Sequence, residues 1–404
     1  MRTEPKIRFK EFTDAWEQRK LGEHAIIKGR LGWKSLKQEE YTLEGPSMIA
    51  GKHIVNGKID WTKVNHIPDW RYDESPEIML ENEDIIFSKD GSLGNPAVIN
   101  NLTVKATINS TMMLVRTDKS IDSNFFYQIL TGEAFDRLIY LKVSGSSIPH
   151  LFQADMNEFE FLAPSLQEQR KISTFLSSAD SLIALHQRKL EELRSFKSSM
   201  LSKMFPKHGQ TVPEIRLAGF DGEWERTKLG ALGSVAMNKR IFKDETSEDG
   251  EIPFYKIGTF GGVADSFISR ARFEEYKQKY PYPEIGDILI SASGSIGRTV
   301  EYMGEEAYYQ DSNIVWLKHD NCLVNSFLKQ FYSIVKWDGI EGTTIKRLYN
   351  KNILETEISL PSLEEQQAIG ELFSNLDDLI SSTQSKIGEL KTLKKKLLQE
   401  MFVN

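Results

Sequence analysis

The sequence has almost no cysteine: Cys322 is the single one among 404 residues. An internal disulfide, a zinc site built from several thiolates and a CxxC redox pair are therefore excluded, and the composition is typical of a reducing compartment. The chain also lacks any run of about 20 apolar residues such as a membrane-spanning helix needs, and its charged first residues do not resemble a signal peptide. We therefore expect a cytoplasmic protein without a membrane segment.

A surplus of positive charge is missing as well. Lysine and arginine number 51 against 58 aspartate and glutamate residues, which gives a formal net charge of −7. This balance excludes a protein coated with basic residues that binds nucleic acid regardless of sequence, although local basic patches are compatible with it. Hydrophobic residues make up 40% of the chain, enough for a buried core, and at about 150 residues per domain the length predicts two or three domains.

Signatures of catalysis are also missing. The string Gly-Ser-Ile-Gly-Arg-Thr at 294–299 has neither the spacing nor the lysine of a phosphate-binding loop, and no HExxH zinc motif occurs. The seven histidines and the single cysteine do not form a metal-ligand set. We therefore predict a protein that is not an enzyme and that holds no metal or cofactor of its own.

What the sequence does contain is an internal duplication. The string Pro-Ser-Leu-Gln-Glu-Gln at 164–169 returns as Pro-Ser-Leu-Glu-Glu-Gln at 361–366, an offset of 197 residues that persists as far as Met-Phe at 204–205 and 401–402. The start of each half also repeats, and so do glycine-bearing strings inside each half. These further pairs are 5–22 with 213–230, 84–94 with 287–297, and 145–151 with 342–348. Each half is therefore predicted to be a variable globular module followed by a similar long segment.

Both long segments have the pattern of a coiled-coil helix. Ser165 with Glu168, and Ser362 with Glu365, have the spacing of a capping box at a helix start. Apolar residues then recur alternately four and three residues apart, which is the a/d period. In the first segment the apolar residues of this series are Ile172, Leu176, Ala179, Ile183, Leu190, Leu193, Met200 and Met204. In the second they are Ile369, Phe373, Leu376, Ile380, Ile387, Leu390, Leu397 and Met401.

Polar residues interrupt both seams at the same two steps: His186 with Thr383, and Lys197 with Lys394. They could define the register of the helix pair, since a polar seam residue sacrifices stability for a unique alignment. In the alternative, a neighbour such as Phe196 or Leu393 takes the seam position. The pattern itself leaves both open.

The fold class predicted is mixed α/β (α+β), because the modules combine short β-branched runs, glycine turns and short helical stretches. Two similar globular domains are expected, separated by two long antiparallel helices that form a coiled coil with pseudo-twofold symmetry. A helix of about 40 residues is a rod of roughly 60 Å, longer than one DNA turn of about 34 Å. The predicted segments are 1–163 (module), 164–206 (helix), 207–223 (linker), 224–360 (module) and 361–404 (helix).

Clustered basic and hydroxyl residues in the modules are candidates for DNA binding, because such groups contact phosphates and base edges. Solvated surface residues and ordinary strand turns are the alternative interpretation of each cluster. In the first module the candidates are Lys28, Arg30, Lys34, Lys89, Ser92, Ser144, Ser146, Ser147 and His150. In the second they are Lys239, Arg240, Ser295, Arg298, Thr343, Thr344, Lys346 and Arg347.

Over essentially its full length the chain resembles the specificity (S) subunits of type I restriction-modification enzymes. The resemblance rests on the two Pro-Ser-Leu-x-Glu-Gln starts, the helices ending in Met-Phe, the Asp-Ile-[IL]-x-Ser…Gly-Ser-[LI]-Gly turns and the Gly-[ST]-[ST]-Ile-x-x-Leu strings. It implies two target-recognition domains, each recognising one half of a bipartite, asymmetric site on double-stranded DNA. The helices would set the spacing and dock two methyltransferase (M) subunits, and restriction-translocase (R) subunits would join for cleavage.

The same resemblance implies that S-adenosylmethionine, ATP and Mg belong to the partner subunits. A negatively charged chain then need not bind DNA tightly by itself, because the methyltransferase subunits would add contacts around the duplex. The alternative from another functional class is a non-catalytic coiled-coil scaffold with duplicated protein- or glycan-binding heads. A self-contained restriction-methylation enzyme is disfavoured by the missing motifs.

Overall fold

The structure, a computed structural model, describes residues 4–31, 36–143, 149–339 and 346–403. The chain divides into two units, one formed by Met1–Arg188 with Gln384–Asn404 and the other by Lys189–Thr383. Each unit holds one module together with parts of both long helices. The sequence-based boundaries, which treat each helix as a separate segment, stay predictions.

The first module contains short strands and short helices. Its strands are β1 (Glu17–Lys20), β2 (Ala25–Gly29), β3 (Thr42–Ile49), β4 (Ile54–Val55), β5 (Lys58–Ile59), β6 (Asn65–His66), β7 (Ile85–Ser88), β8 (Gly94–Val98), β9 (Ala106–Ile108), β10 (Met112–Thr117) and β11 (Glu160–Ala163). Its α-helices are α1 (Leu21–His24), α2 (Asp69–Asp73), α3 (Ser123–Leu130), α4 (Glu133–Val143) and α5 (Gln153–Asn157), followed by the long helix α6 (Leu166–Met204). Single 3-10 turns lie at Gln38–Glu40, Gly51–His53 and Pro76–Ile78.

The second module has the elements β12 (Glu225–Lys228), α7 (Leu229–Leu232), β13 (Gly233–Met237), β14 (Ile252–Tyr255), β15 (Phe267–Ile268), α8 (Arg270–Lys279), β16 (Ile288–Ser291), β17 (Thr299–Glu301), β18 (Tyr308–Tyr309), β19 (Ile314–His319), α9 (Asn325–Ile334), α10 (Asn350–Glu355) and β20 (Glu357–Leu360). A 3-10 turn lies at Lys243–Glu245, and the long helix α11 (Leu363–Met401) follows.

The two modules share one sheet topology. A four-stranded antiparallel sheet has the order β2-β10-β7-β8 in the first module and β13-β19-β16-β17 in the second. A three-stranded sheet, β6-β3-β9 or β15-β14-β18, contains one parallel pair in each module. A two-stranded ribbon, β1-β11 or β12-β20, joins the start of the module to the strand before its long helix. The predicted mixed α/β fold and internal duplication are thereby confirmed.

The cores explain why these strands form where they do. All four residues of β7 and all four of β16 are buried, so both strands are nearly continuous apolar runs at the centre of their sheets. In the first unit the core includes Phe87, Phe125 and Phe135, and it continues onto Leu176 of α6 and Met401 of α11. The equivalent core of the second unit includes residues of both long helices as well.

The long helices pack together in opposite directions, as predicted. In the first unit Asp180 of α6 pairs with Lys394 of α11, and in the second Lys197 of α6 pairs with Asp377 of α11. Because the residue number rises along one helix while it falls along the other, the pair is antiparallel. Among the described residues, no helix is long and apolar enough to cross a bilayer.

The seam residues face the packed side of this pair. Those buried are Ile172, Leu176, Ile183, Met204, Ile369, Phe373, Ile387 and Met401. Those partly buried are Ala179, Leu190, Leu193, Met200, Leu376, Ile380, Leu390 and Leu397. Phe196 and Leu393 are 50% and 53% exposed, so they lie on the outer side of their helices. The polar interruptions Lys197 and Lys394 point inward and are paired with aspartates of the opposite helix.

The helix starts differ from the predicted capping box in one respect. The Ser165 hydroxyl accepts a hydrogen bond from the Glu168 backbone N–H at 3.4 Å, as expected. The Glu168 carboxylate, however, accepts two hydrogen bonds of 2.8 Å from the Arg8 guanidinium. Arg216 forms the same bidentate pair with Glu365. A bidentate, charge-assisted pair is stronger than a single hydrogen bond to a backbone N–H, so the carboxylate pairs with the arginine instead of capping the helix.

Candidate nucleic-acid interface

In the first module three chain segments meet where the two inner strands of the four-stranded sheet, β7 and β10, end and begin. The Lys89 N–H donates to the Thr111 carbonyl at 2.9 Å, and the Leu151 N–H donates to the Lys89 carbonyl at 2.9 Å. An isolated β-bridge pairs Asp90 with His150. The first corner is the name used below for these segments, 89–94, 109–111 and 149–151.

The polar side chains of the first corner form one network. The Lys89 ammonium lies 2.6 Å from Asp90 Oδ2, and the His150 imidazole contacts Asp90 Oδ1. The imidazole Nδ1 must be the donor because an ionised carboxylate can only accept. Ser92 is exposed on the same turn, where Gly91 has a φ of +70° that a glycine adopts without strain. Three sequence-predicted candidates, Lys89, Ser92 and His150, are therefore brought together here.

The second module has a corner built in the same way. The Ala292 N–H donates to the Asn313 carbonyl and the Leu348 N–H donates to the Ala292 carbonyl, both at 2.8 Å. An isolated β-bridge pairs Ser293 with Arg347. The second corner is formed by residues 292–297, 311–313 and 346–348, and it brings Ser295, Lys346 and Arg347 together.

The side chains of the second corner are held by a turn of polar residues. Arg347 Nη2 donates to the Ser312 hydroxyl at 2.5 Å, and the Ser293 hydroxyl donates to Asn313 Oδ1 at 2.7 Å. Arg240 approaches the same turn, with its Nε 3.8 Å from Asp311 Oδ2. Arginine, hydroxyl and amide groups therefore converge at the loop end of the module.

Two further basic residues of the second module lie against aromatic rings. The Lys239 ammonium lies 5.2 Å from the centre of the Tyr280 ring, and the Arg240 guanidinium lies 5.2 Å from that of Phe242. Phe242 is 56% exposed. Arg298 donates to the Phe260 carbonyl at 2.8 Å and is otherwise solvent-exposed. In both cation–ring pairs the ring face attracts the cation and so holds its side chain in place.

Other sequence-predicted candidates lie elsewhere. Arg30 is 3% exposed and donates to the Ile108 carbonyl at 3.2 Å, and burial lowers the pKa of its guanidinium. Lys28 is partly buried on β2. The candidates that lie outside the described residues are Lys34, Ser144, Ser146, Ser147, Thr343 and Thr344.

Sequence reasoning missed the acceptors of both corners. It singled out basic and hydroxyl residues, whereas Asp90, Asp311 and Asn313 supply the oxygen atoms that position them. The signal was present, because Asp90 lies inside the repeated glycine turn beside Lys89. In the part of the chain that the structure describes, no group of three or more His, Cys, Asp or Glu residues could hold a metal ion. The corners are equipped to form hydrogen bonds to phosphates and base edges.

Known proteins are similar to this chain over most of its length. A family model described as the type I restriction modification DNA specificity domain matches residues 14–195 and 221–392, one copy for each half. A Haemophilus influenzae protein described as type I restriction enzyme specificity subunit S.HindORF215P is 37% identical over 334 residues, covering 81% of this chain and 82% of that protein. The MjaVIII specificity subunit of Methanocaldococcus jannaschii is 25% identical over 346 residues, covering 80% and 79%.

The fold is also that of a solved structure. The crystal structure of the type I restriction-modification S subunit from M. genitalium superimposes with a TM-score of 0.64 at 17% identity, covering 99% of both chains. A chain from a study of type I complex assembly gives a TM-score of 0.54 at 18% identity. Together with the two family matches, which span most of the sequence, these findings establish that the chain belongs to the type I restriction-modification DNA specificity family.

Proposed function

We propose that this chain recognises a bipartite, asymmetric site on double-stranded DNA, one block with each module, for a type I restriction-modification complex. Specificity subunits of this family recognise the DNA target, are non-catalytic and hold no cofactor of their own. The observation that carries the bipartite proposal is the presence, in one chain, of two modules with the same strand order and different side chains at their loop ends. Two unlike copies of one binding module suit a target with two unlike halves.

The outer faces of the long helices support a docking role. Leu182 and Phe196 of α6 are 40% and 50% exposed, and Leu379 and Leu393 of α11 are 41% and 53% exposed. On each helix the two residues lie two heptads apart, and the internal repeat relates the pair on α6 to the pair on α11. These four residues are called the outer stripe. The heptad position between the two residues is Lys189 in α6 and Lys386 in α11, so each helix presents two separate exposed apolar side chains. Such side chains are suited to packing against another helix.

Two methyltransferase subunits would dock on the helices in this proposal. The first unit contributes Leu182 and Leu393, and the second contributes Phe196 and Leu379, so the duplication supplies two equivalent sites. Restriction-translocase subunits would join the assembled complex. The chemistry that needs S-adenosylmethionine, ATP and Mg would take place on these partners. Because the substrate is host and incoming DNA, we expect the complex to act in the cytoplasm.

The net charge of −7 fits a subunit that depends on its partners for affinity. DNA binding draws much of its free energy from basic residues that displace counterions, and an acidic chain supplies few of them. We therefore expect the isolated chain to bind DNA weakly and the assembled complex to bind it tightly. Full affinity and specificity of the isolated chain would contradict this part of the proposal.

The test is to express the chain with its methyltransferase in a host that lacks other DNA methylation and to sequence the methylome. We expect one motif made of two short blocks separated by a fixed gap. The alternative, a coiled-coil scaffold with protein- or glycan-binding heads, predicts no methylation that depends on this chain. Expression of the methyltransferase alone is the control, and motif methylation in that control would contradict the proposal.

A further inference from the structure

The two corners have the same backbone but different side chains. In both, the strand end accepts a hydrogen bond from the residue that follows the β-bridge, Leu151 in the first module and Leu348 in the second. The bridge then places Asp90 opposite His150 in one module and Ser293 opposite Arg347 in the other. A carboxylate with an imidazole therefore occupies the place that a hydroxyl with a guanidinium occupies in the second module.

Through this difference in side chains, two copies of one backbone arrangement can acquire different base preferences. A backbone frame shared by both modules holds whatever side chain it carries at the same point, so the side chain decides which hydrogen bonds a ligand can make. Arg347 stands where His150 stands in the first module, and Ser293 stands where Asp90 stands. The guanidinium has five N–H donors and the imidazole has two ring nitrogens, while the Asp90 carboxylate only accepts and the Ser293 hydroxyl can both donate and accept. The corners consequently differ in the donors and acceptors that they present at equivalent positions.

Arg347 is anchored at its Nη2 atom and stays partly exposed. One Nη2 hydrogen bond to Ser312 is 2.5 Å long, and the guanidinium carbon lies 5.9 Å from the centre of the Tyr349 ring. The side chain is partly exposed. A guanidinium has five N–H donors in a planar fork, and among the described residues Ser312 accepts from one of them. Such a fork matches the O6 and N7 acceptors of guanine in the major groove.

We propose that Arg347 is a specificity-determining residue that recognises a guanine in the DNA block bound by the second module. The first module, with Asp90 and His150 at the equivalent place, recognises a different base there. This inference rests on the proposed function and adds to it a named residue and a named base. A contact from Arg347 to a phosphate is the competing role, and it would carry no sequence information.

The experiment is methylome sequencing of the Arg347→Ala and Arg347→Lys variants, each expressed with the methyltransferase. The matched control is Arg226→Ala, which removes an arginine of the same module that pairs with Glu357 on the β12-β20 ribbon. We expect Arg347→Ala to make one guanine position of one block degenerate while the other block and the gap stay unchanged. A good bidentate contact discriminates roughly 5- to 150-fold against other bases, so that preference should fall by this factor. The control should retain the full motif.

The lysine variant keeps the test decisive if the alanine variant loses all methylation. It retains the positive charge of a phosphate contact but loses the planar fork. Lysine can still donate to guanine O6 and N7, but as a point charge without the fork, so recognition of guanine predicts a reduced preference for guanine at that position, whereas a phosphate contact predicts an unchanged motif. An unchanged motif in either active variant overturns the proposal, and so does a second-module block without a G·C pair. A wild-type complex that methylates no two-block motif overturns the proposed function instead.

Discussion

The ammonium group of Lys394 lies 2.6 Å from Asp180 Oδ1, and the repeat-related Lys197 lies 2.5 Å from Asp377 Oδ1. Each pair joins a polar interruption of one seam to an aspartate of the opposite helix. The second oxygen of Asp180 accepts a hydrogen bond of 3.2 Å from the Gln128 side chain, which ties the first module to the helix pair. A shift of one helical turn would separate both lysines from their partners, so these pairs favour one register.

The first prediction concerns the pair of Lys394 and Asp180. Lys394→Ala should lower the free energy of unfolding by about 1 to 2 kcal/mol, because the Asp180 charge would then be left partly buried without its partner. Chemical denaturation measures the change, and a double-mutant cycle with Asp180→Ala isolates the coupling. Lys396→Ala, exposed on the same helix, is the control. Additive effects of the two alanine substitutions would contradict a direct interaction.

The pair between Arg8 and Glu168 should contribute more to stability. Glu168 is 1% exposed, and the pair raises the pKa of Arg8. Arg8→Ala would leave a buried carboxylate without its cation, at a cost of about 3 kcal/mol. The repeat-related Arg216→Ala should behave alike in its own unit, whereas Lys279→Ala, which removes an exposed pair on α8, should change little. Equal melting curves for all three variants would refute this ranking.

The outer stripe makes a prediction about stoichiometry. Replacing Leu182 and Leu393 by glutamate should remove one docking site and reduce the complex from two methyltransferase subunits to one, as measured by native mass spectrometry. The helices should persist by circular dichroism because both positions are exposed. Leu185→Glu is the matched control, since Leu185 is 59% exposed but its repeat counterpart is Ser382, so it belongs to no repeated surface. Two bound subunits in the double variant would contradict this docking surface.

The length of the helix pair should set the gap between the DNA blocks. One heptad inserted after Gln187 and another after Gln384 would keep both lysine–aspartate pairs and the seam period. Seven residues add roughly 10 Å of helix, equivalent to about 3 base pairs of DNA. Methylome sequencing should show a longer gap between unchanged blocks. A gap of unchanged length would show that the helices do not determine the spacing.

Exchange of one module should change one block. Replacing residues 17–163 with the equivalent module of another specificity subunit should alter a single block and leave the second block and the gap as they were. The boundaries lie at the β1-β11 ribbon, so the exchange preserves both ends of the module. The reciprocal exchange of residues 224–360 serves as the matched experiment. Simultaneous changes in both blocks would contradict independent modules.

Much of the architecture could be predicted because its signals are local in the chain. The offset of 197 residues between the two helices, and the alternating spacing from Ile172 to Met200, needed no knowledge of the fold. Apolar periodicity predicts a helix and the face it buries, since burial of that face stabilises it. The residues of the candidate interface were harder to predict from the sequence. Arg30 and Arg347 are both arginines, yet Arg30 is only 3% exposed within its module. Residue type alone therefore does not show which arginine is available to a ligand.

By itself, then, the sequence determined the duplication, the two long helices and the absence of catalytic motifs. Only the tertiary structure decided which polar side chains meet. Asp90 and His150 are 60 residues apart, and Lys394 and Asp180 are 214 apart. Periodicity describes how a residue relates to its neighbours on one element, whereas a hydrogen bond between distant segments depends on the packing of several elements at once.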